Sequence, residues 1–215
     1  AGLVVGAHVA LGNPGKEILA AARGWNCDLI VIGTSDSTSL SKLFLGSASS
    51  HLLKNSSCPV MIFRNDSSFR NVCVAMDGSA TDLSVLSWID SQAWLADTRF
   101  HFLTVIPPLK AENANDSDVD IAISSVPEFA CAEDGALDIL HKEIRRSSKL
   151  SQFECNVEVV DGATCEKILE YSSSVAADLL VLGSHNRGFF AKLLTHSVSL
   201  QTAMNSACSI AVVKH

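Results

Sequence analysis

ADLLVLGSHNRGFFAKLLTHS, Ala177–Ser197, is matched 150 residues earlier by CDLIVIGTSDSTSLSKLFLGS, Cys27–Ser47. In both, an acidic residue precedes an apolar run of buried-strand type that ends on a glycine. A polar loop follows, and then a helix that opens at a serine. A phosphate-binding strand–loop–helix needs that order: a tight turn off the strand, exposed backbone N–H groups and the positive end of a helix dipole.

The match extends well beyond the loops. Under the same shift Gly12 falls on Gly162, Ile18-Leu19 on Ile168-Leu169, and Asn55-Ser56 on Asn205-Ser206, without a gap. Of the 54 positions from 11 to 64, 14 are identical, and others exchange like for like. The chain therefore reads as one domain type used twice.

The second copy reads as complete. Asn71–Met76 is strand one, and Asp77-Gly78-Ser79 is a turn that caps a helix from Ser79 to about Leu95. Strand two is Phe100–Val105, followed by Pro107-Pro108, and residues 109–126 read as an acidic solvated loop. A second helix runs from Pro127 to about Leu150, and strand three is Phe153–Val160. Helix three (about Cys165–Val175), strand four (Asp178–Gly183), helix four (about Ser197–Asn205) and strand five (Ser209–Lys214) complete it. The alternation predicts an α/β fold, a five-stranded mainly parallel sheet with helices on both faces, occurring twice. The expected domains are 1–66, the C-terminal half of a first domain, and 67–215, a complete second one.

In the first copy Leu3–Leu11 matches strand three, so strands one and two have no counterpart. A half sheet leaves long apolar edges uncovered. The expectation is that the chain is a fragment, that it begins inside the natural protein, or that another segment completes the domain.

The chain's 215 residues are 47% hydrophobic and only 6% aromatic, which suits aliphatic strands buried on both faces. The net charge of -7 supplies no basic surface for nucleic acid or anionic membrane. No apolar run reaches the roughly 20 residues of a membrane span, and no signal-peptide pattern opens the chain. Seven cysteines, odd in number and without a CxxC pair, read as small hydrophobes in a reducing cytoplasm.

These residues resemble the universal stress protein family in tandem form. The resemblance implies a Rossmann-like five-stranded α/β fold of the adenine nucleotide alpha hydrolase type. It also implies an ATP site built from G-x2-G-x9-G-[ST] after strand four and an Asp in a D-G-S-like turn after strand one. Here that turn is Asp77, Gly78 and Ser79, with Val105 at the end of strand two and Gly162 after strand three. Gly183-Ser184-His185-Asn186-Arg187-Gly188 is similar to the family's G-S-H-G-R-G.

The pattern itself reads Gly183, Asn186, His196, Ser197 in the second copy and Gly33, Asp36, Gly46, Ser47 in the first. Asn186 tolerates the positive φ of a missing glycine. Asp36 tolerates it too, but like charges 4 Å apart cost about 4 kcal/mol at an effective dielectric near 20, so the first loop is degenerate for phosphate. His196 either blocks close backbone approach or, protonated, contacts phosphate by charge, as Arg187 can. Ser197 either caps the helix or contacts phosphate, and Asp77 either caps its own turn or faces adenosine.

The expected ligand is ATP or AMP with magnesium in the second domain, weakly held. No nucleophile elbow, P-loop lysine or HExxH is present, so no catalytic or metal residue is assigned, and any ATP hydrolysis is slow. The resemblance further implies that Val60–Arg64 and Ser209–Lys214 pair, within the chain or between copies, around a pseudo-twofold axis. The expected role is a cytoplasmic stress-response regulator. The alternative is a nucleotide-independent scaffold or the cytosolic regulatory domain of a larger protein such as a transporter.

Overall fold

The computed structural model describes residues 4–33, 46–64, 68–79, 81–107, 142, 144–147, 149–184 and 198–214. The strands are β1 (Ile30–Gly33), β2 (Val60–Phe63), β3 (Asn71–Met76), β4 (Arg99–Ile106), β5 (Glu154–Asp161), β6 (Leu179–Ser184) and β7 (Ser209–Lys214). The helices are α1 (Pro14–Gly24), α2 (Ser47–Asn55), α3 (Thr81–Ser91), α4 (Thr164–Ser174) and α5 (Val198–Asn205).

The seven strands form one sheet in the order β1-β2-β7-β6-β3-β4-β5. Every neighbouring pair is parallel except β2 and β7, which run antiparallel. The expected five-stranded sheet occurring twice is thus one continuous sheet, with two strands from the first copy and five from the second.

Period-2 alternation sorts the strand residues onto two faces. Val72, Val74, Phe100, Phe102, Leu179 and Val181 pack with Val85, Leu86, Trp88 and Ile89 of α3. Cys73, Leu103, Leu180, Leu182, Ile210 and Val212 pack on the other face with Leu19, Leu52, Ile168 and Ala203. Because both faces are covered, β6 reads as the unbroken apolar run Leu179–Leu182.

Several expected boundaries move, each for a local reason. Residues 4–11 form no strand, and Val4, Val5, Val9 and Leu11 are exposed. Their counterpart β5 pairs only with β4, and among the described residues no strand stands beside 4–11. Without a neighbour, an extended segment has no ladder to join.

α3 begins at Thr81, not Ser79, because Ser79 stands outside it as a cap whose Oγ accepts from Thr81 N at 3.3 Å. It ends at Ser91, where Gln92 N and the Trp94 indole both donate to the Ile89 carbonyl. The second helix of the full copy closes by 146, with Ser147 N donating to the Ile144 carbonyl, and Leu150–Gln152 is a separate 3-10 turn. Residues 109–126 and the expected start of that helix at Pro127 lie outside the described residues.

Two helix ends 150 residues apart share a backbone conformation. α1 and α4 end alike: Cys27 N donates to the Ala22 carbonyl, and Ala177 N to Ser172. Each ending places a non-glycine residue in the left-handed region, Asn26 at φ 50° and Ala176 at φ 49°.

Candidate functional site

Between β3 and β6 the chain order reverses: from β3 the path goes out to β4 and β5, and from β5 it crosses back through α4 to β6. Open α/β sheets hold ligands in the crevice at the carboxyl ends of strands flanking such a reversal. The register brings four strand ends to that edge, with Ala75 opposite Leu182, Met76 opposite Thr104 and Val105 opposite Val160.

Asp77, Gly78 and Ser79 leave β3 as a tight turn. Gly78 has φ +77°, and Asp77 Oδ1 accepts from Ser79 N at 3.0 Å. Asp77 thus caps its own turn. Val105 sits near the end of β4, half-buried. Gly162 follows β5 at φ +139°, and its N–H donates to the Ile106 carbonyl at 3.0 Å, holding the ends of β4 and β5 together.

Gly183 lies one residue before the end of β6. A Cβ there would stand 2.6 Å from Thr81 Cγ2, so the strand end packs directly under the first turn of α3. Ser199 Oγ donates to the Gly183 carbonyl at 2.7 Å. The two roots of the 185–197 segment are therefore fastened to each other.

Asn186, Arg187, Gly188, His196 and Ser197 lie outside the described residues, as does Asp36. In the first copy Gly33 closes β1, Gly46 precedes α2 with an ordinary φ of -61°, and Ser47 is the first residue of that helix. A Cβ on Gly33 would meet nothing within 4 Å. Asp77, Gly78, Ser79, Val105, Gly162 and Gly183 are brought to one edge, whereas Gly33, Gly46 and Ser47 belong to the first copy's half of the sheet.

Two residues that the sequence reading did not single out sit beside this crevice. Asp82 is buried, and its Oδ2 accepts from Gly78 N at 2.7 Å. Burial, and secondarily the Asp77 charge, pushes its carboxyl up to about 7, against the lowering effect of the Gly78 and Asp77 backbone N–H groups. The signal was present: Ser79-x-x-Asp82 has the spacing of a capping box.

Lys214, the last residue of β7, reaches the Leu53 carbonyl and stands 3.5 Å from Ser184 Oγ, at the root of the loop. Burial lowers its pKa. This edge thus combines a turn with fixed N–H groups, an exposed acidic side chain at Asp77, and the part-buried Lys214 amine beside Ser184. Such a set can orient a polar ligand by hydrogen bonds and attract an anionic one. No helix among the described residues is long and apolar enough to cross a membrane.

Comparison with known proteins bears on these features together. The model of the universal stress protein family matches residues 1–64 and 68–214. The chain is 37% identical over 57 residues to the universal stress protein Sll1388 of Synechocystis, covering 26% of this chain and 37% of that relative. It therefore spans well under two thirds of the length of that relative. A universal stress protein crystal structure from Archaeoglobus fulgidus superposes with a TM-score of 0.60 at 22% identity, over 95% of this chain and 66% of that one. A universal stress protein solved in complex with cAMP superposes with a TM-score of 0.50 at 24% identity, over 68% of this chain and 98% of that one. With both copies matched by the family model and the fold shared with solved members, the chain belongs to the universal stress protein family.

Proposed function

We propose that the protein is a stress-response regulator built from two domains, half of one within 1–66 and a whole one within 67–215. Its complete domain weakly binds an adenine nucleotide, ATP or AMP with magnesium. The observation that carries this reading is the assembly of Asp77, Gly78, Ser79, Val105, Gly162 and Gly183 at one switch-point crevice. The similar fold of the protein solved with cAMP supports nucleotide as the ligand class. In this reading Asp77 addresses the nucleoside, and the segment from Asn186 through Ser197 addresses its phosphates.

The side-by-side run of β2 and β7 supports a function exercised through the pairing of the two copies. Among the described residues no cluster of metal ligands stands at this edge, and the role proposed is binding rather than catalysis.

The test is calorimetric titration of Mg-ATP and Mg-AMP into the wild type, Asp77→Ala and His196→Gly. Binding to the wild type that Asp77→Ala weakens tenfold or more supports the reading. Binding by His196→Gly alone assigns the imidazole as a block and restricts the reading to the loop's shape. No heat from wild type or His196→Gly overturns nucleotide binding and leaves a scaffold.

A further inference from the structure

The seam between β2 and β7 has twofold symmetry in its register. Val60 is opposite Val212, Met61 opposite Ala211 and Ile62 opposite Ile210. The 150-residue shift turns the Val60–Val212 pair into the Ile210–Ile62 pair, and turns Met61–Ala211 into itself. The local dyad therefore passes through Met61 and Ala211.

The polar contacts obey the same dyad. Arg64 Nη2 donates to the Ala203 carbonyl at 2.7 Å, in the last turn of α5. Lys214, the counterpart of Arg64, donates to the carbonyl of Leu53, the counterpart of Ala203, in the last turn of α2. Each cation comes from one copy and holds the carboxyl end of a helix in the other, where the helix dipole favours positive charge. Arg64 N also donates to Ser209 Oγ at 3.1 Å, which fixes the start of β7 against the end of β2.

The two clasps bear unequally on the crevice. α5 is the helix that follows the 185–197 segment, and its Ser199 is fastened to Gly183. Lys214 lies beside Ser184, where that segment begins.

We infer that Arg64 and Lys214 are cross-copy positioning residues: through reciprocal clasps on α5 and α2, each copy sets the placement of a helix in the other, and the first copy thereby holds α5, whose Ser199 is fastened to Gly183 at the end of β6. The half copy is then part of the support of that strand end. The seam couples the two copies energetically through elements that each has fastened in the other.

The exchange test needs no ligand. Amide hydrogen exchange is followed by mass spectrometry on the full chain, for the wild type, Arg64→Ala, Arg64→Lys and Lys214→Met. Arg64→Ala is expected to speed exchange in Val198–Asn205 by about tenfold while leaving Ser47–Asn55 within about twofold. Lys214→Met is expected to do the converse, loosening Ser47–Asn55 together with the end of β6. Arg64→Lys, which keeps the charge, retains most of the protection. Loosening confined to the substituted residue's own copy, or equal over both helices, overturns the inference. If Arg64→Ala does not fold, the Lys214→Met and Arg64→Lys patterns decide it.

The bearing on ligand rests on the nucleotide reading above and is tested separately. Mg-ATP affinity should fall by about threefold to tenfold in Arg64→Ala and be restored in Arg64→Lys, because a shift of about an ångström in α5 is passed to the Gly183 strand end through Ser199. Unchanged affinity in a wild type that binds ATP overturns the positioning role. A wild type that binds none overturns the nucleotide reading, and the crosswise exchange pattern still decides the clasps.

Discussion

The contact between Gly183 and α3 can be tested by adding one carbon. In Gly183→Ala the new Cβ would stand 2.6 Å from Thr81 Cγ2, 3.4 Å from Thr81 Cβ and 3.5 Å from Val85 Cγ2. Thr81 is 1% exposed and β-branched, so its methyl has little room to rotate away. Overfilling a packed site typically costs about 1–3 kcal/mol. Alanine in a strand recovers about 0.5–1 kcal/mol that glycine loses to chain entropy. The net expectation is a destabilisation of about 0.5–2 kcal/mol.

Thr81→Ser removes the opposing methyl, at a cost near 0.8 kcal/mol for one buried carbon. In combination the two changes should be less harmful than their sum, with a coupling of about 1–2 kcal/mol. Urea unfolding followed by tryptophan fluorescence measures all four corners of the cycle, since Trp88 and Trp94 pack edge to face at 6.3 Å in the same core. Gly33→Ala is the control: its Cβ would meet nothing within 4 Å, so it should be neutral or slightly stabilising. A neutral Gly183→Ala, or a penalty undiminished beside Thr81→Ser, would refute the packing argument.

Two further expectations concern backbone and charge. Ala176 occupies φ 49° after α4, a conformation that costs an L-residue about 1–2 kcal/mol, so Ala176→Gly should raise stability by up to about 1 kcal/mol in urea unfolding. A loss of stability there would contradict the left-handed cap. Asp82, pushed up to about 7, holds its proton in the native state at pH values where the unfolded carboxyl, near 3.9, has lost it. Stability should therefore fall as pH rises from about 4 to about 7, with a slope of at most ~1.4 kcal/mol per pH unit from this group, and level off above. Asp82→Asn, whose amide oxygen can still accept from Gly78, should remove that contribution, and an unchanged pH profile would show that the carboxyl is not the source.

What was legible in the sequence follows from what each pattern encodes. Asn71–Met76 and Ser209–Lys214 were delimited to the residue because an apolar run between turn residues needs only local chemistry to be read. Gly12 and Gly162, aligned in the sequence 150 residues apart, both have positive φ. Leu3–Leu11 was misread because its composition matches β5, yet strand formation depends on a neighbour that composition does not reveal. The run of β2 beside β7 is a relation between edges about 150 residues apart, which the family resemblance implied and no local pattern encodes.

Gly33 and Gly183 show where such reading stops. They align 150 residues apart in the sequence, one at the end of β1 and the other one residue before the end of β6. A Cβ on Gly33 would meet nothing within 4 Å, whereas one on Gly183 would stand against Thr81 in the first turn of α3. A strand-end glycine that invites a phosphate reading is thus required at 183 by helix packing alone. Any ligand role it has must be measured in a background where that packing is kept, and for that reason Asp77→Ala and His196→Gly, not a Gly183 variant, are the substitutions that can test the crevice.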